Sequence, residues 1–264
     1  MKIARYITTD GQQGLGRLVG ERTAQPLLGE LFGELAFAER HVEVQRFLPP
    51  VQPPNIFAIG RNYKEHVQET GAQLPERPLI FVKATTALIA DQDAIVIPES
   101  APNEVDFEAE LAIIIGRTAR RVPVEQARDY VLGYTCANDV SARDCQRNDK
   151  QWARAKGFDT FCPLGPWLVT VDELDPQNRP IRSRLNGTVM QNANTSAMIF
   201  GCDQLISYLS HQFTLLPGTV ILTGTPEGVG FARQPPVFLK AGDRVEVEID
   251  GIGILTNVVR QAPD

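Results

Sequence analysis

From Asp106 to Gly116 the chain passes from an acidic cluster into five consecutive apolar residues, Leu111 to Ile115, and then meets a glycine. A bounded apolar run of this length reads as a buried strand. Asn55–Ile59, Leu79–Val82 and Ala94–Ile97 repeat the pattern, and shorter strand-like pieces stand near the start, around Lys2–Ile7 and Gly16–Val19. Two dipeptides predict hairpins. Asn186-Gly187 separates Ile181–Leu185 from Thr188–Gln191, and Asp250-Gly251 separates the alternating Val245–Ile249 from Ile252–Val259. Both favour two-residue turns because their residues tolerate positive φ. Pro217-Gly218 turns the chain into a further strand at Thr219–Thr223.

Helical periodicity is scarce. Asp203–Phe213 places Leu205, Ile206, Leu209 and Phe213 on one stripe, and Val124–Leu132 lies between Pro123 and Gly133, a start and a stop signal. A helical turn is expected at Asn62–Glu69, ahead of Gly71. Strands grouped by hairpin turns, with two or three helices, predict a β-dominated α+β fold without regular βαβ winding. A compact stretch at Pro26–Phe37 and a polar segment lead to Pro49-Pro50-Val51-Gln52-Pro53-Pro54. Four prolines in six residues cannot continue a helix or a central strand, which puts a boundary there. The expectation is a small N-terminal subdomain, residues 1–50, before a main domain, residues 51–264.

Composition narrows the class. The 264 residues are 43% hydrophobic and 22% charged, an ordinary globular balance that excludes disordered, collagen-like and coiled-coil chains. Lys and Arg number 26 against 32 Asp and Glu, a net charge of −6, so neither nucleic acid nor an anionic membrane is an expected partner. No apolar run approaches the roughly 20 residues that cross a bilayer. The residues after Met1 lack the apolar region of a signal peptide, and Cys136, Cys145, Cys162 and Cys202 are scattered without a Cys-x-x-Cys pair. Buried free thiols and a cytoplasmic location are expected. The segment Gly224–Gly230 matches neither the dinucleotide-binding nor the P-loop glycine pattern.

Five segments carry candidate chemistry. In an extended backbone Glu108 and Glu110 point to one face with Ala112 and Ile114, so two carboxylates enter a face that soon becomes core. The pair is either a solvated strand end or a site holding a cation, and Asp139 in Asn138-Asp139-Val140-Ser141 is either a helix cap or a third oxygen ligand. Three carboxylates suit Mg²⁺ or Mn²⁺, whereas three histidines without a His pair argue against zinc. His66 and Glu69 stand three apart on the short helical turn, either as an exposed pair or as an imidazole oriented for general-base work. Lys156 is a solvated lysine or a group for a substrate carboxylate or enolate oxygen. Gly224-Thr225 is a plain turn or an anion-binding one.

These segments in this order resemble the fumarylacetoacetate hydrolase family, in its branch of acylpyruvate hydrolases and oxaloacetate decarboxylases. The resemblance runs from about Ile56 to Val259 through Ile59-Gly60-Arg61-Asn62-Tyr63, Glu108-Ala109-Glu110-Leu111, Asn138–Asp144, Arg154–Phe161 and Leu222–Gly230. It implies a mixed β-roll with Mg²⁺ or Mn²⁺ held by Glu108, Glu110 and Asp139. It implies a His66–Glu69 dyad on a mobile lid and Lys156 beside the substrate, and it assigns Arg61, Tyr63, Arg143, Gln146, Gly224 and Thr225 to substrate binding. It further implies a homodimer, with residues 1–50 outside the shared core. Three carboxylates and a divalent ion sum to −1, so an anionic 2-oxo acid needs the positive charge of Lys156 and Arg143. The first expectation for function is C–C hydrolysis of an acylpyruvate. Decarboxylation of oxaloacetate or of 5-oxopent-3-ene-1,2,5-tricarboxylate, and isomerisation of 2-hydroxyhepta-2,4-diene-1,7-dioate, are the alternatives. A non-catalytic ligand- or cation-binding protein of the same fold is the contrasting class.

Overall fold

The computed structural model describes residues 1–262. Two sheets dominate it. The larger one centres on the antiparallel strands Cys162–Thr170, Val131–Asn138 and Ala109–Ile115, followed by Val220–Leu222, Ile56–Gly60 and the edge strand Leu79–Lys83. The smaller one orders Thr188–Asn194, Pro180–Leu185, Arg244–Ile249, Gly253–Gln261 and Ala94–Ile97. Helices are few and short, and the longest α-helix, Cys202–Gln212, buries Leu205, Ile206 and Leu209, whereas Phe213, expected on the same stripe, ends the helix exposed and stacks on Phe57. The fold is a β-dominated α+β architecture.

The strand Ala109–Ile115 is buried along its whole length. Ala112 and Ile114 join one hydrophobic cluster, while Leu111, Ile113 and Ile115 join the other. Each fully buried Leu or Ile contributes about 1.5–3 kcal/mol relative to exposure, so this strand is fixed in register from both sides. Glu110 is carried on the same strand and is buried with it.

Residues 1–50 add to the large sheet: Lys2–Thr8 pairs antiparallel with Cys162–Thr170, with Ile3 opposite Leu168. They also have an apolar cluster of their own, Ala4, Tyr6, Ala24, Val44 and Phe47, against Trp167.

Two sequence expectations are corrected. The helix expected at Val124–Leu132 is a 3₁₀ helix over Val124–Tyr130, and Val131 already opens the strand Val131–Asn138. Gly133 is therefore no helix stop. A Cβ there would meet the Val169 carbonyl at 2.2 Å, so glycine lets the neighbouring strand approach. The Asn186-Gly187 turn has both φ values positive, as expected. At Asp250-Gly251 only the glycine does, and the loop takes three residues between the paired Ile249 and Gly253.

No helix is long and apolar enough to cross a membrane among the described residues. All four cysteines are buried with free thiols.

Candidate functional site

The acidic residues meet because of strand register. Ala109 pairs with Asn138 and Glu110 with Ala137, while two residues before Glu108 the short strand Val105–Asp106 pairs with Ser141–Ala142. Between these ladders the Asp139 N–H donates to the Glu108 carbonyl at 2.9 Å, and Asn138 Oδ1 accepts from the Glu108 N–H at 2.9 Å. Carboxylate oxygens of Glu108, Glu110 and Asp139 thus lie within 4.8 Å of one another, and all three side chains are buried. Asp139 caps no helix, since the next one begins at Arg143 with Ala142 as its cap.

Three buried cations answer these charges. Lys156 Nζ donates to Glu108 Oε2 at 2.7 Å and to Asp139 Oδ2 at 2.6 Å. Lys83 Nζ, from the end of the edge strand, donates to Asp139 Oδ1 at 2.5 Å. Arg143 donates from Nη2 to Glu108 Oε1, from Nε to Asp106 Oδ2 and from Nη1 to Gln146 Oε1, at 2.7, 2.9 and 3.0 Å. With Asp106 counted, four carboxylates face three cations.

The charges are unevenly shared. Burial pushes the Glu108 carboxyl up, but Lys156 and Arg143 outweigh it and hold the group below the usual carboxylate range. Glu110 is raised well above that range by burial and by the neighbouring Asp139 and Glu108 carboxylates. It accepts a hydrogen bond from an uncharged donor, the Gly224 N–H, at 2.7 Å. Burial lowers the Lys156 ammonium, but Asp139 and Glu108 more than restore it, so its pKa lies above the ordinary lysine value.

The glycine-rich segment Gly224–Phe231 binds anions, and those anions belong to the protein. Its N–H groups donate at Gly224 to Glu110, at Gly228 to Glu69, and at Gly230 and Phe231 to Asp106. Gly224 has φ +97°, and a Cβ there would stand 2.7 Å from the Asn62 Cβ, so both conformation and space require glycine.

A cavity of about 260 Å³ opens onto this group. Glu108, Glu110, Lys156 and Arg143 line it, together with His66, Arg61, Gln146, Trp152 and Thr225. His66 is buried on the helix Lys64–Glu69, and its Nδ1 lies 2.7 Å from Glu69 Oε1. Glu69 is tied in turn to the Gly228 N–H through its other oxygen, at 2.9 Å. The ring is therefore oriented through Nδ1, which leaves Nε2 for proton transfer.

Several expected substrate contacts stand elsewhere. Tyr63 is fully buried outside the cavity wall, its hydroxyl without a partner. The Gly224 N–H is committed to Glu110. The Thr225 hydroxyl donates to the Ala109 carbonyl and accepts from Gln191, so Thr225 reaches the cavity as wall. Lys83, Trp152 and Gln191 carry no local signal in the sequence, and Asp106, the first residue of the acidic cluster, gains its role only from the fold.

The residues present fit a hard divalent cation. The donors are all carboxylate oxygens, and Glu110 is a buried acid with no hydrogen-bonded cation. With such an ion the local sum of formal charges changes from −1 to +1, a sign that attracts an anion.

The family described as Fumarylacetoacetate (FAA) hydrolase C-terminal matches residues 55–260. The chain is 51% identical over 214 residues to a mitochondrial oxaloacetate tautomerase of Xenopus laevis, covering 80% of this chain and 67% of that protein. Among solved structures it is similar to a 5-carboxymethyl-2-hydroxymuconate delta-isomerase from Mycobacterium smegmatis, at TM-score 0.89 and 42% identity, over 99% of this chain and all of the other. A 2-hydroxyhepta-2,4-diene-1,7-dioate isomerase from Mycobacterium marinum gives TM-score 0.87 and 40% identity over both whole chains.

Proposed function

The chain belongs to the fumarylacetoacetate hydrolase family, and on that footing we propose that it is a Mg²⁺- or Mn²⁺-dependent enzyme interconverting enol and keto forms of a small 2-oxo acid. The observation that carries the reading is one cavity lined both by an imidazole fixed through its Nδ1 and by the buried carboxylates Glu108 and Glu110. Relatives named as a tautomerase and as isomerases support it.

A divalent ion held by Glu108, Glu110 and Asp139 would supply Lewis-acid stabilisation of negative charge on the substrate's oxygens. His66 Nε2 takes the C3 proton as the C3–H electron pair makes the C2–C3 double bond and the C2–O π pair passes to oxygen, and the resulting enolate oxygen takes a proton from solvent water to give the enol. In the reverse direction the enol O–H proton leaves to solvent water as the protonated nitrogen delivers a proton to C3. Glu69 holds the ring in place through its Nδ1. The Lys156 ammonium adds fixed positive charge beside Glu108, and the Gln146 amide keeps its NH₂ donors for the substrate because Arg143 uses its Oε1.

Hydrolysis of an acylpyruvate is the second reading, favoured by the same dyad, since an oriented imidazole also deprotonates a water for attack on the distal carbonyl. A panel of enolised oxaloacetate, acetylpyruvate and fumarylpyruvate with added Mn²⁺ separates the two. Accelerated decay of the enol absorbance of oxaloacetate, abolished by a chelator and without C–C cleavage products, is expected. Cleavage of the acylpyruvates with no effect on enol decay would favour the hydrolase, and inertness toward all three would remove both readings.

A further inference from the structure

We infer that Lys83 is a positioning residue for the proposed cation site: its buried ammonium holds Asp139 through Oδ1, so that Oδ2 alone faces Glu108. This deepens the reading above and rests on it for the divalent ion that Glu108, Glu110 and Asp139 would hold.

Lys83 closes the edge strand Leu79–Lys83, whose Leu79 and Val82 are exposed, yet Lys83 itself is 1% exposed. Taking an ammonium out of water is costly unless its protons find acceptors. Here all three do. Nζ donates to Asp139 Oδ1 at 2.5 Å, to the Val140 carbonyl at 3.4 Å and to the Lys156 carbonyl. An ammonium has three protons, so none is left for a ligand, and Lys83 does not line the cavity. It acts through Asp139 and not on a substrate.

Two backbone carbonyls keep the ammonium where Asp139 needs it. Val140 follows Asp139 in the chain, and Lys156 is the penultimate residue of the helix Ala153–Gly157, where carbonyls lack a partner within the helix. Strand pairing sets the reach, since Lys83 stands opposite Ile56 at the start of the neighbouring strand. Each Asp139 oxygen is thereby assigned. Oδ1 turns to Lys83, while Oδ2 shares the Lys156 ammonium with Glu108 Oε2 and so faces the acidic group. Without Lys83, Oδ1 loses its donor and either oxygen is free to turn toward Glu108.

The test is Mn²⁺ titration calorimetry on the full chain, in which the stoichiometry counts folded molecules and Kd reports the site. Lys83→Met should raise the Kd for Mn²⁺ about 10–100-fold at a stoichiometry near one. The sign is diagnostic, because removing a nearby positive charge would by itself tighten the binding of a cation. An unchanged or lowered Kd, whatever happens to Tm or stoichiometry, would overturn the inference. Lys83→Met leaves the Asp139 carboxylate short of a buried cation, so the same substitution is also made with Asp139→Asn, which removes both charges. If Lys83 acts through Asp139, the double variant should bind Mn²⁺ as Asp139→Asn alone does. A further loss beyond about threefold would overturn the inference, whether or not the single variant folds. Weakened Mn²⁺ binding in Lys83→Met, with a wild type that turns over no 2-oxo acid, would leave the positioning role standing and remove the enzymatic reading. Mn²⁺-dependent turnover with an unchanged Kd in Lys83→Met would do the reverse. A wild type that binds no Mn²⁺ would remove both.

Discussion

Glu108, Glu110 and Asp139 are held by paired strands and by three buried cations, whereas His66 and Glu69 ride on a helix of six residues tied by one hydrogen bond to the Gly228 N–H. The inner group is over-determined. Its carboxylates answer to sheet register, to Lys83, Lys156 and Arg143, and to the N–H groups of the segment Gly224–Phe231. The dyad has fewer supports, and Arg61, which lines the same cavity, has no ion-pair partner among the described residues. On the proposed reading the difference separates two tasks: Glu108, Glu110 and Asp139 would hold a cation, and His66 with Glu69 would move a proton. The two groups are joined at Gly228 and Gly230, where one loop bonds Glu69 on one side and Asp106 on the other.

This division is breakable by substitution. The largest effect is expected from His66→Ala, which should lower kcat by about 10²–10⁴ while Mn²⁺ affinity, read by calorimetry, stays as in the wild type. A parallel loss of affinity would mean that the two groups are not separable. Asp139→Asn should act in the opposite sense, weakening Mn²⁺ by more than the roughly 10–100-fold typical of groups that only support a ligand. Unaltered Mn²⁺ binding in that variant would remove Asp139 from the cation site. Asp106→Asn leaves the Arg143 guanidinium short of a buried partner and should destabilise the chain by about 3–5 kcal/mol in denaturant unfolding. A change below about 1 kcal/mol would show that the loop and the arginine do not depend on it. Glu69→Gln, which keeps the size and removes the charge, should cost about tenfold in kcat with little change in stability, because the glutamine keeps one oxygen to accept a hydrogen bond while the carboxylate facing the imidazole is lost.

Much of the inner group was legible before the structure. Period-two alternation put Glu108 and Glu110 on one face of an emerging strand, and an apolar stretch delivered Asn138-Asp139. What the sequence did not reveal depends on distant pairing. Lys83 ends a short apolar run and reads as an ordinary polar boundary, yet it lies opposite Ile56 in the sheet and reaches Asp139, 56 residues away. Asp106 meets the N–H of Gly230 across 124 residues, a contact that no local pattern encodes. In the Gly224-Thr225 turn, read from sequence as an anion-binding candidate, the Gly224 N–H donates to Glu110, 114 residues away in sequence. Gly133 misled for a related reason, because a glycine beside a neighbouring strand looks locally like one that ends a helix. Val124–Tyr130 and the strand after it are sorted by tertiary pairing, which overrides their local signals.

The central claim is that the dyad and the acidic group act together in moving a proton at C3 of a 2-oxo acid. Deuterium incorporation at C3, followed by NMR in D₂O with Mn²⁺ present, tests it most directly. The account predicts exchange well above the protein-free rate for the wild type, and a return to that rate in His66→Ala or on adding a chelator. Exchange that persists undiminished in His66→Ala, or a wild type indistinguishable from the blank, would contradict it.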